Sequence, residues 1–595
     1  MQILSVQPLR GPNLWSNAIP LLIQVKLDFT QQQNLSDGEV QILFDLAKAN
    51  CPFLQYNAAL NVTQQLTWAT AQLAIYLQKQ ATFNVHYLAY KPTIIPTVYN
   101  VVFQYQTESI GVEVIEYAGV LINLILAGKD IKQALNQFIE QLISSKNALD
   151  IDLQNLIAAC ETKQIPFCLP DDELPMHIGY GVKGFDVSIN DYKSTLLKLP
   201  TIFNTKEQAT VPIIAITGSN GKTTTTRLIA HIFHMAKYKV GFTTSDGIYV
   251  DGLMIDKGDT TGPASAQMVL RNKNVEVAVL ESARGGIVRA GLGFKQCDFG
   301  IVTNVQNDHL GIADIETMEA LAQVKQVIVN ATKKEGFAIL NADNPYTLQM
   351  AETAKCNVAW FSANEKMLGH NNGNQKILFV ADSKVYFQNG SEKTFIIHVN
   401  DIPITFNGRL AFMTQNALAA ILTCLLFGIE AHVIAKAVCC FYPSEAQTPG
   451  RMNIYQFKKC QLLVDFAHNP EGFAGIAAFL KNVDSNVKIG IIVGTGDRKI
   501  EDIKQLGKLS AGMFDVVLIH QVKFLRGHTA DEIVAWLVEG MQQENASIKW
   551  QRIPDEAEPL LFALNLVEQE NTMIVALSDV LNEPADLVKK YQEVY

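Results

Sequence analysis

The chain has no long hydrophobic run. Its longest nearly apolar stretch, Tyr117 to Ala127, falls short of the roughly 20 residues a membrane-spanning helix needs, so no membrane span is expected. Met1-Gln2-Ile3-Leu4-Ser5-Val6 lacks the basic start, apolar core and small-residue cleavage site of an export signal. Cysteine is sparse, nine in 595 residues and never as C-x-x-C, which argues against a zinc ribbon, a redox dithiol or a disulfide framework. The adjacent Cys439 and Cys440 read as buried packing, and a reducing cytoplasm is the expected compartment. Positive charge is also in deficit: 48 Lys and Arg against 58 Asp and Glu give a net charge of −10, so nucleic acid is not an expected partner. Internal repeats at a fixed period and low-complexity tracts are missing too.

What remains is an ordinary globular composition, 48% hydrophobic and 18% charged, on a chain long enough for about four domains. Ser36-Asp37-Gly38-Glu39 has capping-box form ahead of Val40, Leu43, Phe44 and Ala47, so a helix starts there. Leu66, Leu73, Ile75 and Leu77 continue a helical pattern, and Val101, Phe103 and Tyr105 alternate as in a strand. Residues 1–160 therefore read as an α+β domain. His86 in this part reads as packed or hydrogen-bonded rather than as a ligand. Prolines and glycines between Gln164 and Lys198 break any long element, which makes 161–206 a linker or small module. Beyond it, apolar runs at 211–216, 275–280, 299–305, 462–464, 487–493, 516–519 and 573–577 alternate with helical patterns. This is the signature of parallel α/β sheets. A break near Tyr442-Pro443 divides them into 207–445 and 446–595, and the whole is an α/β multidomain chain.

The chemistry concentrates at strand ends. Thr217-Gly218-Ser219-Asn220-Gly221-Lys222-Thr223-Thr224 sits between a predicted strand and a predicted helix. In that context backbone N–H groups surround phosphate oxygens, Lys222 reaches the β- and γ-phosphates, and Thr223 offers a hydroxyl to Mg²⁺. The standard phosphate-loop pattern fails at its first glycine, which is Ile216 here. Ligands in open α/β sheets bind beyond the carboxyl ends of strands, so Glu281, at the end of one predicted strand, and His309, after another, are candidate contacts for the same metal. Either alone reads equally as a loop residue; the three strand ends together point to a divalent-metal ATP site.

These residues match a family. The phosphate loop, Leu280-Glu281-Ser282, Asn304-x-x-x-Asp308-His309, Asn416-Ala417-Leu418-Ala419-Ala420, Gly450-Arg451-Met452 and Asp465-Phe466-Ala467-His468-Asn469-Pro470 resemble, in order, the motifs of Mur ligases and folylpolyglutamate synthases. Leu9-Arg10-Gly11-Pro12-Asn13, His177-Ile178-Gly179-Tyr180-Gly181-Val182 and Glu281-Ser282-Ala283-Arg284-Gly285-Gly286-Ile287 resemble, more closely, the cyanophycin synthetases. In full-length members a long ATP-grasp region lies between the Gly-Tyr-Gly-Val segment and the Mur-type loop. Here only residues 181–217 separate them, which is too little chain for that fold. The pattern is similar to short cyanophycin synthetases, which have one ATP site and join preformed β-aspartyl-arginine dipeptides into polymer.

The resemblance implies an ATP- and Mg²⁺-dependent amide ligase acting through an acyl phosphate. Gly218, Ser219, Asn220, Gly221, Lys222, Thr223 and Thr224 would hold the phosphates, and Asn416, Arg451 and Asp465 the nucleotide. Thr223, Glu281 and His309 would hold metal, with Lys222, His309 and Lys325 in catalytic roles. Lys325 lies where some Mur-type ligases carry a carbamylated lysine, although a lysine on a predicted helix ordinarily faces solvent. Arg284, Arg289 and His468 are implied substrate contacts, with loop stabilisation the competing role for the two arginines. Partners would be the dipeptide, the growing polymer and further copies of the chain in a dimer or higher homo-oligomer. A ligase for a related isopeptide dipeptide and a non-catalytic polymer-binding homologue remain as alternatives.

Overall fold

The computed structural model describes every residue except 19–20, 55, 149, 171–173, 309, 366–375, 495, 497, 521–524, 526, 579 and 582–583. It divides into two compact units. Met1–Val211, Gly262–Val275 and Ser282–Gln296 form the first, and Pro212–Thr261, Glu276–Glu281 and Cys297–Tyr595 the second.

The first unit opens with strands β1 (Gln2–Arg10) and β2 (Leu21–Asp28), helices α1 (Asp37–Ala47) and α2 (Val62–Gln80), and strands β3 (Leu88–Pro92) and β4 (Val98–Gln104). The antiparallel sheet runs in the order β1-β2-β4-β3. The capping box read from the sequence is present: Ser36 Oγ accepts from Glu39 N at 3.3 Å while Ser36 N donates to Glu39 Oε2 at 2.7 Å. These bonds satisfy two donors that the helix start would otherwise leave orphaned. Helices α3 (Glu108–Leu126) and α4 (Lys132–Ala148) complete this layer. By length and composition α3 is apolar enough to cross a membrane, yet its Ile110, Val114, Ala118, Leu121 and Ile125 lie in one core with Val25, Leu73 and Phe103. His86 is exposed and bonded to Asn84 Oδ1 at 2.7 Å.

Next come α5 (Ile151–Thr162), a small antiparallel sheet of β5 (Phe167–Cys168), β6 (Met176–Ile178) and β7 (Phe185–Val187), and α6 (Tyr192–Ile202). Leu156 and Cys160 of α5 share a core with Met176, Ile178 and Leu199, so this module takes in the helix through which the expected boundary at 160 runs. At its centre His177 is fully buried. Its Nδ1 lies 2.7 Å from Asp186 Oδ1, and Lys273 Nζ lies 3.0 Å from the other Asp186 oxygen. His177 Nε2 is buried with no hydrogen-bond partner among the described residues. A proton there would be a buried N–H without an acceptor, and burial accordingly holds the His177 pKa below its ordinary value.

The second unit begins with β8 (Ile213–Thr217), α7 (Lys222–Met235), β9 (Val240–Thr243), β10 (Gly247–Val250) and β11 (Leu253–Lys257). Helix α8 (Pro263–Arg271) belongs to the first unit, β12 (Val277–Glu281) to the second, and α9 (Arg284–Ala290) again to the first. The second unit continues with β13 (Cys297–Val302), α10 (Met318–Ala331), β14 (Thr332–Asn341), α11 (Pro345–Glu352) and β15 (Asn357–Ser362). It goes on through β16 (Lys376–Ala381), β17 (Lys384–Asn389), β18 (Glu392–His398), α12 (Ala411–Phe427) and α13 (Ala431–Cys439). The eleven-stranded sheet has the order β11-β10-β9-β12-β8-β13-β14-β15-β16-β17-β18, parallel from β9 to β16 and antiparallel at both flanks. From β8 the chain crosses to β9, later returns as β12 beside β8 and then crosses to β13 on the other side of β8, which makes the end of β8 a topological switch point.

A second layer holds β19 (Asn453–Gln456), β20 (Cys460–Asp465), α14 (Pro470–Leu480), β21 (Val487–Ile492), α15 (Ile500–Met513) and β22 (Val516–Ile519). Helix α16 (Ala530–Glu544), β23 (Lys549–Arg552), α17 (Pro559–Leu564), β24 (Thr572–Leu577) and α18 (Pro584–Tyr591) end it. Its sheet order is β19-β20-β24-β21-β22-β23, with only β19 antiparallel. Every apolar run named from the sequence is a strand of one of these two sheets. The cysteine pair is a correction: α13 ends at Cys439, leaving Cys439 half-buried and Cys440 exposed rather than packed.

A folded-state pKa below the unfolded one makes His177 stabilise the first unit fully above the ordinary histidine value of about 6.5, and this contribution is lost as pH falls below it. Thermal melts of the first unit between pH 7.5 and 5.5 should therefore show stability declining by at most about 1.4 kcal/mol per pH unit from this one proton. His177→Asn should flatten the decline; an unchanged slope would refute the assignment.

Candidate active site

The strand β8 is buried throughout because it is central in a sheet covered by helices. It delivers Gly218 to Gly221 to the switch point, and α7 starts at Lys222. Gly221 has φ +87°, and a Cβ there would collide with Asn416 Oδ1; a Cβ on Gly218 would collide with Thr303 Oγ1. Only glycine lets the loop pass this close to its neighbours, and Asn416 on α12 thereby sits directly against the loop.

The loop is also pinned by the segment after β13. Ser219 N donates to Asn304 O at 3.1 Å and Asn220 N to Asn304 Oδ1 at 3.0 Å. Thr303 Oγ1 donates to Asn220 O at 2.6 Å, and Ser219 Oγ is 2.9 Å from Gln306 O and 3.0 Å from Gln306 N. Lys222 Nζ donates to the carbonyls of Gly218 and Ser219, both at 3.1 Å. Thr224, next in α7, is buried.

Thr223 Oγ1 donates to Glu281 Oε2 at 2.9 Å and lies 3.2 Å from Ser245 Oγ. Glu281 ends β12, paired with Ile216 of β8, and is 3% exposed. Burial holds its carboxyl above the ordinary carboxylate range, while Lys222, the Thr223 hydroxyl and Arg451 favour its charged form. Arg451 also favours the charged form of Asp465, a second buried carboxylate held above its ordinary range by burial. Asp465 accepts from Met452 N at 2.9 Å and Ala467 N at 2.8 Å. The Arg451 guanidinium lies 4.4 Å from the Phe466 ring centroid, and its Nη2 is 3.5 Å from Ser245 Oγ. One cation thus serves two buried acids, each of which would otherwise carry a large desolvation cost.

Among the described residues no group of three His, Cys, Asp or Glu side chains stands ready for a metal. His309 lies outside the described residues. The Thr223 hydroxyl and Glu281 carboxylate are nonetheless hard oxygen donors of the kind Mg²⁺ takes together with phosphate oxygens, and the glycine cradle fits a phosphate chain, so the residues present fit MgATP. Lys325, on α10, is 2% exposed, so the solvated reading of this lysine is corrected: α10 packs on β13 and β8 and turns Lys325 inward. His468 Nδ1 is 2.8 Å from Phe466 O and its Nε2 is 3.6 Å from Asp308. Arg284 and Arg289 lie on α9 of the first unit, the former half-buried and the latter exposed. Each is placed by its own unit, and the cluster described above is built without them.

Sequence reasoning gave no role to Ser245, Gln306, Asn469 or Asp502. Gln306 and Asn469 stood inside quoted motifs, and that was the available signal. The others reach the site only through the tertiary fold.

Residues 216–424 match the Mur ligase middle domain and residues 450–578 the glutamate ligase domain of Mur ligases. A cyanophycin synthetase of Synechocystis sp. is 40% identical over 394 residues, covering 66% of this chain and 45% of that protein. The one from Geminocystis herdmanii is 39% identical over 393 residues, again 66% and 45%. The chain thus spans less than half the length of these relatives. The UDP-N-acetylmuramoyl-L-alanyl-D-glutamate--2,6-diaminopimelate ligase of Caldanaerobacter subterraneus is 24% identical over 396 residues, 66% of this chain and 77% of that protein. Among solved structures, E. coli FolC in complex with ADP aligns with a TM-score of 0.47 at 16% identity, covering 64% of this chain and 90% of that one. With two Mur ligase domains in order and cyanophycin synthetase homologues at about 40% identity, the chain belongs to the Mur ligase family and is a homologue of the cyanophycin synthetases.

Proposed function

We propose that the protein is an ATP-dependent amide ligase that joins β-aspartyl-arginine dipeptides into polymer at a single ATP site. The observation that carries the reading is the buried Thr223–Glu281 pair at 2.9 Å, set beside a glycine cradle and Lys222 at the switch point. ATP is a substrate: the chain-terminal carboxylate attacks the γ-phosphorus, the bond to the β-phosphate oxygen breaks, and ADP leaves. The dipeptide amine then attacks the acyl phosphate, loses a proton and expels inorganic phosphate as the amide forms. Mg²⁺, when bound, neutralises charge on the phosphate oxygens.

Lys222 stabilises charge developing on the transferred phosphoryl group, and the loop N–H groups hold the phosphates in line. Thr223 and Glu281 would hold the metal, with His309 completing the set as the family resemblance implies. Asn416, Arg451 and Asp465 orient the nucleotide. Lys325, buried on α10, is a candidate for carbamylation by carbon dioxide, which would turn a buried cation into a carboxylate-bearing group. Arg284, Arg289 and His468 are assigned to substrate carboxylates. The homology to cyanophycin synthetases supports the polymer product, and the short 181–217 connection supports one ATP site rather than two and hence a preformed dipeptide.

Lys222→Ala should lower dipeptide-dependent phosphate release by at least about 100-fold, in line with the loss of a charge-stabilising donor; near-normal turnover would sink the site. Incubation with ATP and β-Asp-Arg should yield polymer and phosphate, whereas ATP with free Asp and Arg should yield neither. Polymer from the free amino acids would overturn the one-site reading, and phosphate release with a different basic dipeptide alone would reassign the substrate.

A further inference from the structure

Asn469 is fully buried at the start of α14, so each polar atom of its amide needs a partner. Its Oδ1 accepts from Gly472 N at 2.8 Å, which caps the helix. The remaining bonds run to the phosphate loop: Asn469 Nδ2 donates to Asn220 Oδ1 at 3.0 Å, and Asn220 Nδ2 lies 3.3 Å from Asn469 Oδ1. Asn220 is the residue before Gly221, and its other groups are committed to the β13 loop, with Nδ2 2.8 Å from Gln306 Oε1. That loop is itself tied to the C-terminal layer, since Asn307 Nδ2 donates to Asp502 Oδ1 at 2.8 Å and Arg498 Nη1 to Asp308 Oδ1 at 2.8 Å.

The geometry points to Asn469 as a positioning residue: it holds Asn220, and through Asn220 it sets the phosphate-binding form of the loop from the C-terminal layer. This inference rests on the ATP reading of the loop. A capping asparagine needs only its oxygen. The donated Nδ2–H has no part in the cap and serves Asn220 alone, while Oδ1 caps the helix and also takes the longer bond from Asn220.

Asn469→Ser keeps a capping oxygen but lacks the amide donor and is too short to reach Asn220. Calorimetric titration with MgADP should show binding weakened about three- to tenfold, the size of one or two net hydrogen bonds, with the melting temperature nearly unchanged. In the Asn220→Ala background the same substitution should have no further effect, because the pair is already broken. Steady-state kinetics should place the loss in the KM for ATP more than in kcat. If Asn469→Ser fails to fold, Asn469→Thr, which also caps, takes its place in the same cycle. Unchanged MgADP affinity, or losses that multiply in the double variant, would overturn the positioning role while leaving the ATP site standing. Failure of the wild-type protein to bind MgADP would bring down both.

Discussion

The hydrogen bond from Thr223 to Glu281 is the constraint on which the site turns. It joins the first turn of α7 to the last residue of β12, across two parallel strands whose register pairs Glu281 with Ile216. A carboxylate at the end of a buried strand is costly to ionise, and the fold surrounds it with groups that favour the charged form: a hydroxyl, the Lys222 ammonium and the Arg451 guanidinium. Two of these come from the loop and one from beyond the break at Tyr442. Glu281 therefore links the sheet to both of the elements that a nucleotide would touch.

Arg451 carries the argument across to the C-terminal layer. It favours ionisation of Glu281 and Asp465 together, and Asp465 in turn holds the turn after β20 by accepting from Ala467 N. Both buried acids lean on the same guanidinium, Asp465 the more so, since Lys222 and the Thr223 hydroxyl favour the charged form of Glu281 ahead of Arg451. The polar core of the second unit works as one network, and its parts are more than a string of separate motifs.

Much of this was legible in the sequence, for local reasons. The strand-loop-helix around Lys222, the acid at the end of β12 and the capping box at Ser36 are set by neighbours within a few residues, and all stand where the sequence put them. Strands β14–β18 were missed although β14 and β16 carry apolar runs, Phe337-Ala338-Ile339-Leu340 and Ile377-Leu378-Phe379-Val380, because a short apolar run alone does not separate a strand from a buried helix segment. A signal existed there in Asp382-Ser383, both at positive φ, and in Gly390-Ser391, the two short turns that join β16 to β17 and β17 to β18. The burial of Lys325 and the Asn220–Asn469 pair were out of reach for another reason. The pair is 249 positions apart, and only the docking of two sheets decides that the residues meet.

The connection from Gly181 to Thr217 bears on how the whole chain divides its labour. Most of it is taken up by short turns, β7, α6 and β8, too little chain for a further nucleotide-binding layer. In the small module that this connection helps to form, the polar centre is His177 with Asp186 and Lys273, and the buried Nε2 of His177 has no hydrogen-bond partner among the described residues, which makes it unfit for proton transfer to a ligand. The glycine clearances at Gly218 and Gly221 are narrow, with Thr303 and Asn416 standing where a Cβ would go, so the loop at the end of β8 tolerates no side chain at either position.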